Sequence, residues 1–146
     1  MHFKKMMQQG LNVPAEIVVH LVVRKMLTQP NAYGYLVIGF PREKKQAVLF
    51  NKQVRQPTLV INLFARRLIL QDRMAIRAAS VARFDDTPEA ICNRVKMYYT
   101  KISGAMAPNK TVTKIIDAET TADEVFREAC KLVNEVLKKV SENETT

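Results

Sequence analysis

Two short apolar runs, Tyr35–Ile38 and Thr58–Phe64, flank an amphipathic stretch from Glu43 to about Arg55. A strand, a helix and a strand within about 30 residues form a βαβ unit, which predicts a right-handed crossover and parallel strands. Both runs are nearly continuous in apolar character, as suits strands buried on two faces. Ala47, Phe50 and Val54 mark the inner face of the helix, and Glu43 sits at its positive end. Gln56-Pro57 closes it. The chain is therefore expected to be α/β.

The remaining sequence fits that class. Pro14 suits the first turn of a helix whose stripe is Ile17, Val18, Leu21 and Val22, and Thr28-Gln-Pro30 stops it. Arg66 to Arg77 reads as a helix, and Ala78 to Arg83 as a small-residue loop. Asp86-Thr-Pro-Glu89 opens another helix, which runs to about Ile102 on Ile91, Val95 and Tyr98. Val112 to Ile116 is a third, shorter strand. Thr121 and Glu124 form a capping box for a last helix that turns Val125, Ala129, Leu132, Val136 and Val140 inward. The tail 141–146 is polar and expected to fray. At 146 residues the chain makes one domain with room for a core.

The charge is unevenly spread. Residues 1–84 carry 14 basic and 3 acidic side chains, and residues 85–146 carry 9 basic and 11 acidic ones. The first part suits a polyanionic partner: a nucleotide, a nucleic acid or an acidic surface. No apolar run reaches the roughly 20 residues of a membrane helix. The first ten residues have two lysines but no apolar stretch after them, which speaks against a signal peptide and for a cytoplasmic chain. Cys92 and Cys130 lack metal-ligand spacing and read as buried free thiols.

The residues that can carry chemistry are arginines. Arg42 follows the first strand at its carboxyl end, where ligands bind in parallel sheets, and can grip a phosphate with two prongs. Gly39 lets a group approach the backbone closely. Arg73 and Arg77 share one helical face, Arg83 follows in the loop, and Arg94 comes from the next helix. A solvated basic surface accounts for any one of these, but forked guanidinium groups rather than lysines suit phosphates, particularly phosphoryl groups in transfer. Arg66 and Arg67 have no such context and read as surface. Asp85 and Asp86 are candidates for a helix cap, for partners of Arg83 or Arg94, or for metal ligands. His2 and His20 lie far from the arginines, so no acid–base or nucleophilic constellation forms.

Gly34-Tyr-Leu-Val-Ile-Gly-Phe-Pro-Arg42, with Glu43, Gln46 and Phe50, resembles the Gly-Phe-Leu-Ile-Asp-Gly-Phe-Pro-Arg segment of adenylate kinases and UMP-CMP kinases. Gln56-Pro-Thr-Leu59 resembles their next strand, and Asn12-Val-Pro14 their Leu-Val-Pro. Arg73, Arg77, Arg83-Phe-Asp-Asp86, Arg94 and Tyr98-Tyr99 match the short-lid cytosolic adenylate kinases without gaps. The resemblance implies a parallel-sheet, P-loop-kinase-like core with three of five strands and helices on both faces. Residues 1–146 would form one partial domain, with 11–30 from the monophosphate-binding part and 78–84 as a short lid.

It also implies a reaction, ATP and AMP giving two ADP with Mg²⁺, and roles for particular residues. Leu11, Asn12 and Val13 would line the adenine pocket of AMP with backbone. Gly39, Phe40, Pro41 and Arg42 would contact AMP, with Arg42 on its phosphate and Gln46 on its base. Arg73 would stack on the ATP base, with a backbone contact from Thr120. Arg77, Arg83 and Arg94 would converge on the transferred phosphates, and Asp85 and Asp86 would orient the lid. Two features depart from the pattern. These 146 residues hold four glycines and no Gly-Lys pair, hence no G-x-x-x-x-G-K-[ST] phosphate loop. Ile38 stands where the family has the aspartate that holds magnesium through water. The chain alone is therefore expected to be inactive or weak. The two long strands are expected either to pair directly or to leave an apolar slot where the family's first strand would lie.

Overall fold

A computed structural model describes residues 2–80 and 86–144. The elements are α1 (His2–Gln8), α2 (Ala15–Leu27), α3 (Lys44–Gln53), β1 (Val60–Phe64), α4 (Arg67–Ser80), α5 (Pro88–Met106), β2 (Thr113–Asp117) and α6 (Ala122–Glu144). A 3₁₀ segment, Ala107–Val112, joins α5 to β2. The class is α/β as expected, with β1 and β2 parallel and in the register Val60 to Thr113 through Phe64 to Asp117.

Local chemistry explains the helix boundaries. Pro14 precedes α2, and at its other end the Thr28 hydroxyl donates to Lys25 O at 2.7 Å. Thr87 caps α5, its hydroxyl accepting from Ala90 N at 3.2 Å, and Pro88 occupies the first turn. The α6 capping box closes both ways: Thr121 N donates to Glu124 Oε2 at 3.0 Å, and Glu124 N donates to Thr121 Oγ1 at 3.3 Å. Small side chains let α2, α3 and α5 approach one another. Ala15, Ala47, Ala90 and Ala105 are buried with Val19, Phe50, Ile91 and Val95. The sheet is fastened to α5 by Tyr98, whose hydroxyl donates to Asn62 Oδ1 at 3.2 Å, and by Tyr99, which donates to Ala65 O.

Several expectations are corrected. Gly34–Ile38 is not a strand: its backbone is irregular, and Leu36 and Ile38 are 85% and 86% exposed. Ladder hydrogen bonds require a neighbour, and β1 pairs with β2 instead, so among the described residues the sheet has two strands where three were expected. Of the two alternatives for the long strands, direct pairing is therefore not realised. Helix α4 continues through Ser80 into the segment read as loop, and α6 runs through residues 141–144 of the tail read as frayed. The cysteines are free thiols, but Cys92 is exposed and Cys130 only partly covered. Helix α1 was not foreseen, its seven residues being too few to show a period.

Candidate functional site

Asp86 is the centre of the site. Its carboxylate is 1% exposed and is gripped from two helices. Arg77, from the last turn of α4, donates Nε to Oδ2 at 3.0 Å and Nη2 to Oδ1 at 2.9 Å, a two-pronged pair. Arg94, two turns into α5, donates Nη1 to Oδ1 at 2.6 Å. Burial pushes the Asp86 carboxyl up, but the hydrogen bonds and charges of Arg77 and Arg94 outweigh it and hold the group below the usual carboxylate range. The guanidinium groups retain access to solvent, Arg77 being 40% and Arg94 20% exposed. Two cations are thus held side by side around one buried carboxylate. Of the two acids weighed as arginine partners, Asp86 takes that role toward Arg77 and Arg94. Arg83 and Asp85 lie outside the described residues, so the lid 78–84 is seen only in its first three positions.

Arg73, one turn before Arg77, donates Nη1 to Ala118 O at 2.6 Å. That contact brings it to the turn between β2 and α6, two residues from Thr120, whose hydroxyl reaches Asp117 O at 3.4 Å. The two residues expected at the ATP base are therefore adjacent. In the same turn Glu119 binds Arg66: Arg66 Nε donates to both carboxylate oxygens at 3.0 and 2.8 Å. Arg67 lies over the Tyr99 ring, 5.3 Å from its centroid. Both are exposed, as expected of surface residues, though each has a partner.

The Gly39–Arg42 turn is built differently. Gly39 has φ +73°, a left-handed conformation that favours glycine, and the Phe40–Pro41 peptide is cis. Arg42 Nε donates to Gly39 O at 3.0 Å, folding the side chain over the turn. Gln46 is 1% exposed, and its Oε1 accepts from Arg42 N at 2.8 Å. In this structure Gln46 therefore supports the turn from beneath, away from where a base in solvent would meet it. Phe40 packs edge-on against the buried Phe50, with centroids 5.4 Å apart. Glu43, next to Arg42, accepts from Lys101 Nζ at 2.6 Å. Lys101 and Arg94 are seven apart on α5, so they share a face about 10 Å apart along its axis. The Arg42 turn and the arginine cluster thus border the same side of α5.

Gly10 is the residue that sequence reasoning missed. With φ +73°, it packs so closely on the start of α5 that a Cβ would lie 2.7 Å from Ala90 O and 3.3 Å from Arg94 N. Asn93 Nδ2 donates to Gln9 O at 3.1 Å in the same contact. The segment Leu11–Val13, half-buried apart from Leu11, is thereby held beside the root of Arg94. A lone glycine just ahead of Leu11-Asn-Val-Pro14 was the available signal.

Ile38 offers an exposed aliphatic chain and no acceptor. Among the described residues no group of three or more His, Cys, Asp or Glu side chains can hold a metal. The residues seen here do not fit a protein-held Mg²⁺.

Comparison with known proteins shows the family. The family model for adenylate kinase matches residues 1–112. Adenylate kinase isoenzyme 1 of Gallus gallus is 30% identical over 133 residues, 89% of this chain and 69% of that protein. The same isoenzyme of Cyprinus carpio is 31% identical over an equal span. Adenylate kinase isoenzyme 5 of Homo sapiens is 30% identical over 136 residues, covering 91% of this chain but 24% of that longer protein. The chain belongs to the adenylate kinase family. It spans about two thirds of the length of the isoenzyme 1 relatives that it matches.

Proposed function

We propose that this chain is a nucleoside monophosphate kinase module that binds AMP or a related monophosphate. In this reading the monophosphate lies along α5, its phosphate at Arg42 and its base against Leu11, Asn12 and Val13. Arg77 and Arg94, with Arg83, take the phosphates of the transfer reaction. Arg73 and Thr120 take the base of ATP. The observation that carries the proposal is the Arg77–Asp86–Arg94 cluster. One buried carboxylate fixes two guanidinium groups side by side. Their orientation is thus set before any ligand arrives, which is how arginines stabilise a transferring phosphoryl group.

Phosphoryl transfer by these 146 residues alone is proposed to be slow or absent. The sequence contains no Gly-Lys phosphate cradle, and Ile38 leaves the turn without a carboxylate. A coupled assay of ADP production tests this: turnover within about tenfold of an ordinary adenylate kinase, at roughly 1–100 s⁻¹ for kinases, sinks it. Calorimetric titration with AMP tests binding separately. Heat is expected for the unaltered chain and a weaker response for Arg42→Ala; no heat from either rules the monophosphate site out.

A further inference from the structure

Nearly all of the net charge sits on one part of the molecule. Residues 42–55 and 94–110 hold nine basic residues and one acid, whereas the remainder of the chain, with 14 basic and 13 acidic residues, is close to neutral. The two segments are far apart in sequence, but the fold joins them. Lys101 Nζ meets Glu43 Oε2 at 2.6 Å, Asn51 Nδ2 donates to Asn109 Oδ1 at 2.7 Å, and a Cβ on Gly104 would lie 3.7 Å from Lys44 Cβ. Gathering like charges costs stability, and the core does not demand it, since Lys44, Lys45, Lys52, Lys96 and Lys110 are all exposed. Lys44 and Lys45 occupy the first turn of α3, where a helix favours acids. Arg42 and Arg94 have a use at the nucleotide site; the other seven basic residues have none there.

The shape of this face narrows the choice of partner. Lys96, Thr100 and Ser103 follow one another along the open side of α5, and Ala107 and Lys110 continue the line in the 3₁₀ segment. The ridge is about 20 Å long, and its polar groups are ammonium and hydroxyl donors. Beside it a groove of about 380 Å³ runs between α3 and α5, lined by Glu43, Lys44, Lys45, Thr100, Lys101 and Gly104. The ridge has no large apolar side chain to enter a bilayer and no aromatic ring on which an unpaired base could stack. It has no Arg, Asn or Gln to read a base edge. Helix α5 is packed on α3 and α4 and tied to β1 by Tyr98, so only the ridge projects, whereas the major groove of DNA is about 8.5 Å deep. The minor groove of duplex RNA is wide and shallow, and it displays 2′-hydroxyl groups between two rows of phosphates.

We propose that the α3–α5 face is a second binding site, which takes double-stranded RNA through its phosphates and 2′-hydroxyl groups without reading sequence. Lys44, Lys52, Lys96 and Lys110 meet the phosphates, and Thr100 and Ser103 meet the ribose hydroxyls. Lys45 and Lys101 are already paired, with Glu16 and Glu43, and brace the groove instead.

Fluorescence anisotropy of a labelled RNA duplex of about 20 base pairs tests the proposal on the full chain. Binding is expected, and it should weaken about 100-fold between roughly 50 and 200 mM salt as four lysines displace counterions. No binding at the lower salt overturns the proposal. So does equal or tighter binding of the DNA duplex or the single RNA strand of the same sequence, and so does binding confined to phosphatidylserine vesicles. Lys44→Glu with Lys96→Glu is expected to weaken RNA binding by about tenfold or more with unchanged helical circular dichroism. Lys138→Glu with Lys139→Glu, on α6, changes the net charge equally and should bind RNA as the unaltered chain does. Equal losses in the two pairs trace binding to net charge and overturn the face. If the first pair loses helix, Lys44→Gln with Lys96→Gln replaces it, and an unchanged affinity then overturns the proposal.

Discussion

Asp86 shows how one buried charge can set the behaviour of a site. Its folded pKa is depressed, so the stabilisation it supplies is complete above the unfolded value near 3.9 and is lost as pH falls through the lower folded value. Urea midpoints measured at pH 7 and pH 3 should differ less in Asp86→Asn than in the unaltered chain. Asp86→Ala should cost about 1–3 kcal/mol at pH 7, since it leaves two partly exposed guanidinium groups facing each other. Gly10→Ala should cost about 1–3 kcal/mol in the same assay, through its positive φ and the close approach of Ala90 O. At this scale the sequence was partly legible. The arginine spacings and the acid among them could be read, because a helix converts spacing directly into a shared face. The close approach at Gly10 could not, because it depends on a helix eighty residues further along the chain.

Helices were the elements that the sequence announced. Their caps and prolines act over a few residues, and α2, α3 and α5 begin and end close to those signals. Thr121→Ala should therefore destabilise by about 1 kcal/mol, read as a lower urea midpoint, by freeing Glu124 N and opening the capping box. The same reading failed at Tyr35–Ile38, although its composition is strand-like throughout. A strand signal states that a segment can pair, whereas pairing itself depends on what lies beside it. Tyr35 illustrates the outcome: its hydroxyl donates to Gln29 O at 2.6 Å and Met26 O at 3.1 Å, tying the segment to the end of α2 rather than to the sheet.

The native surface, 10833 Å² where a compact monomer of this mass presents about 7,600 Å², has its own signature in denaturation. The sensitivity of stability to urea scales with the area that unfolding exposes. An unfolded chain of this mass presents about 24,000 Å², so unfolding this monomer uncovers about 13,000 Å² where a compact protein would uncover about 17,000 Å². The urea m-value of the chain should therefore fall about a fifth below that of compact domains of equal length; an ordinary value would show a more compact molecule in solution. The β1–β2 pair carries a further consequence, for the order in which the molecule assembles. Val60 meets Thr113 across 53 positions of chain, and closing a loop of that length costs about 3.5 kcal/mol of entropy before any ladder bond forms. Five paired positions at one edge compensate poorly for that, so the ladder must wait until α5 has docked and drawn its ends together. Tyr98 and Tyr99 fasten that helix to β1, and shortening either should retard the last step of folding more than the first.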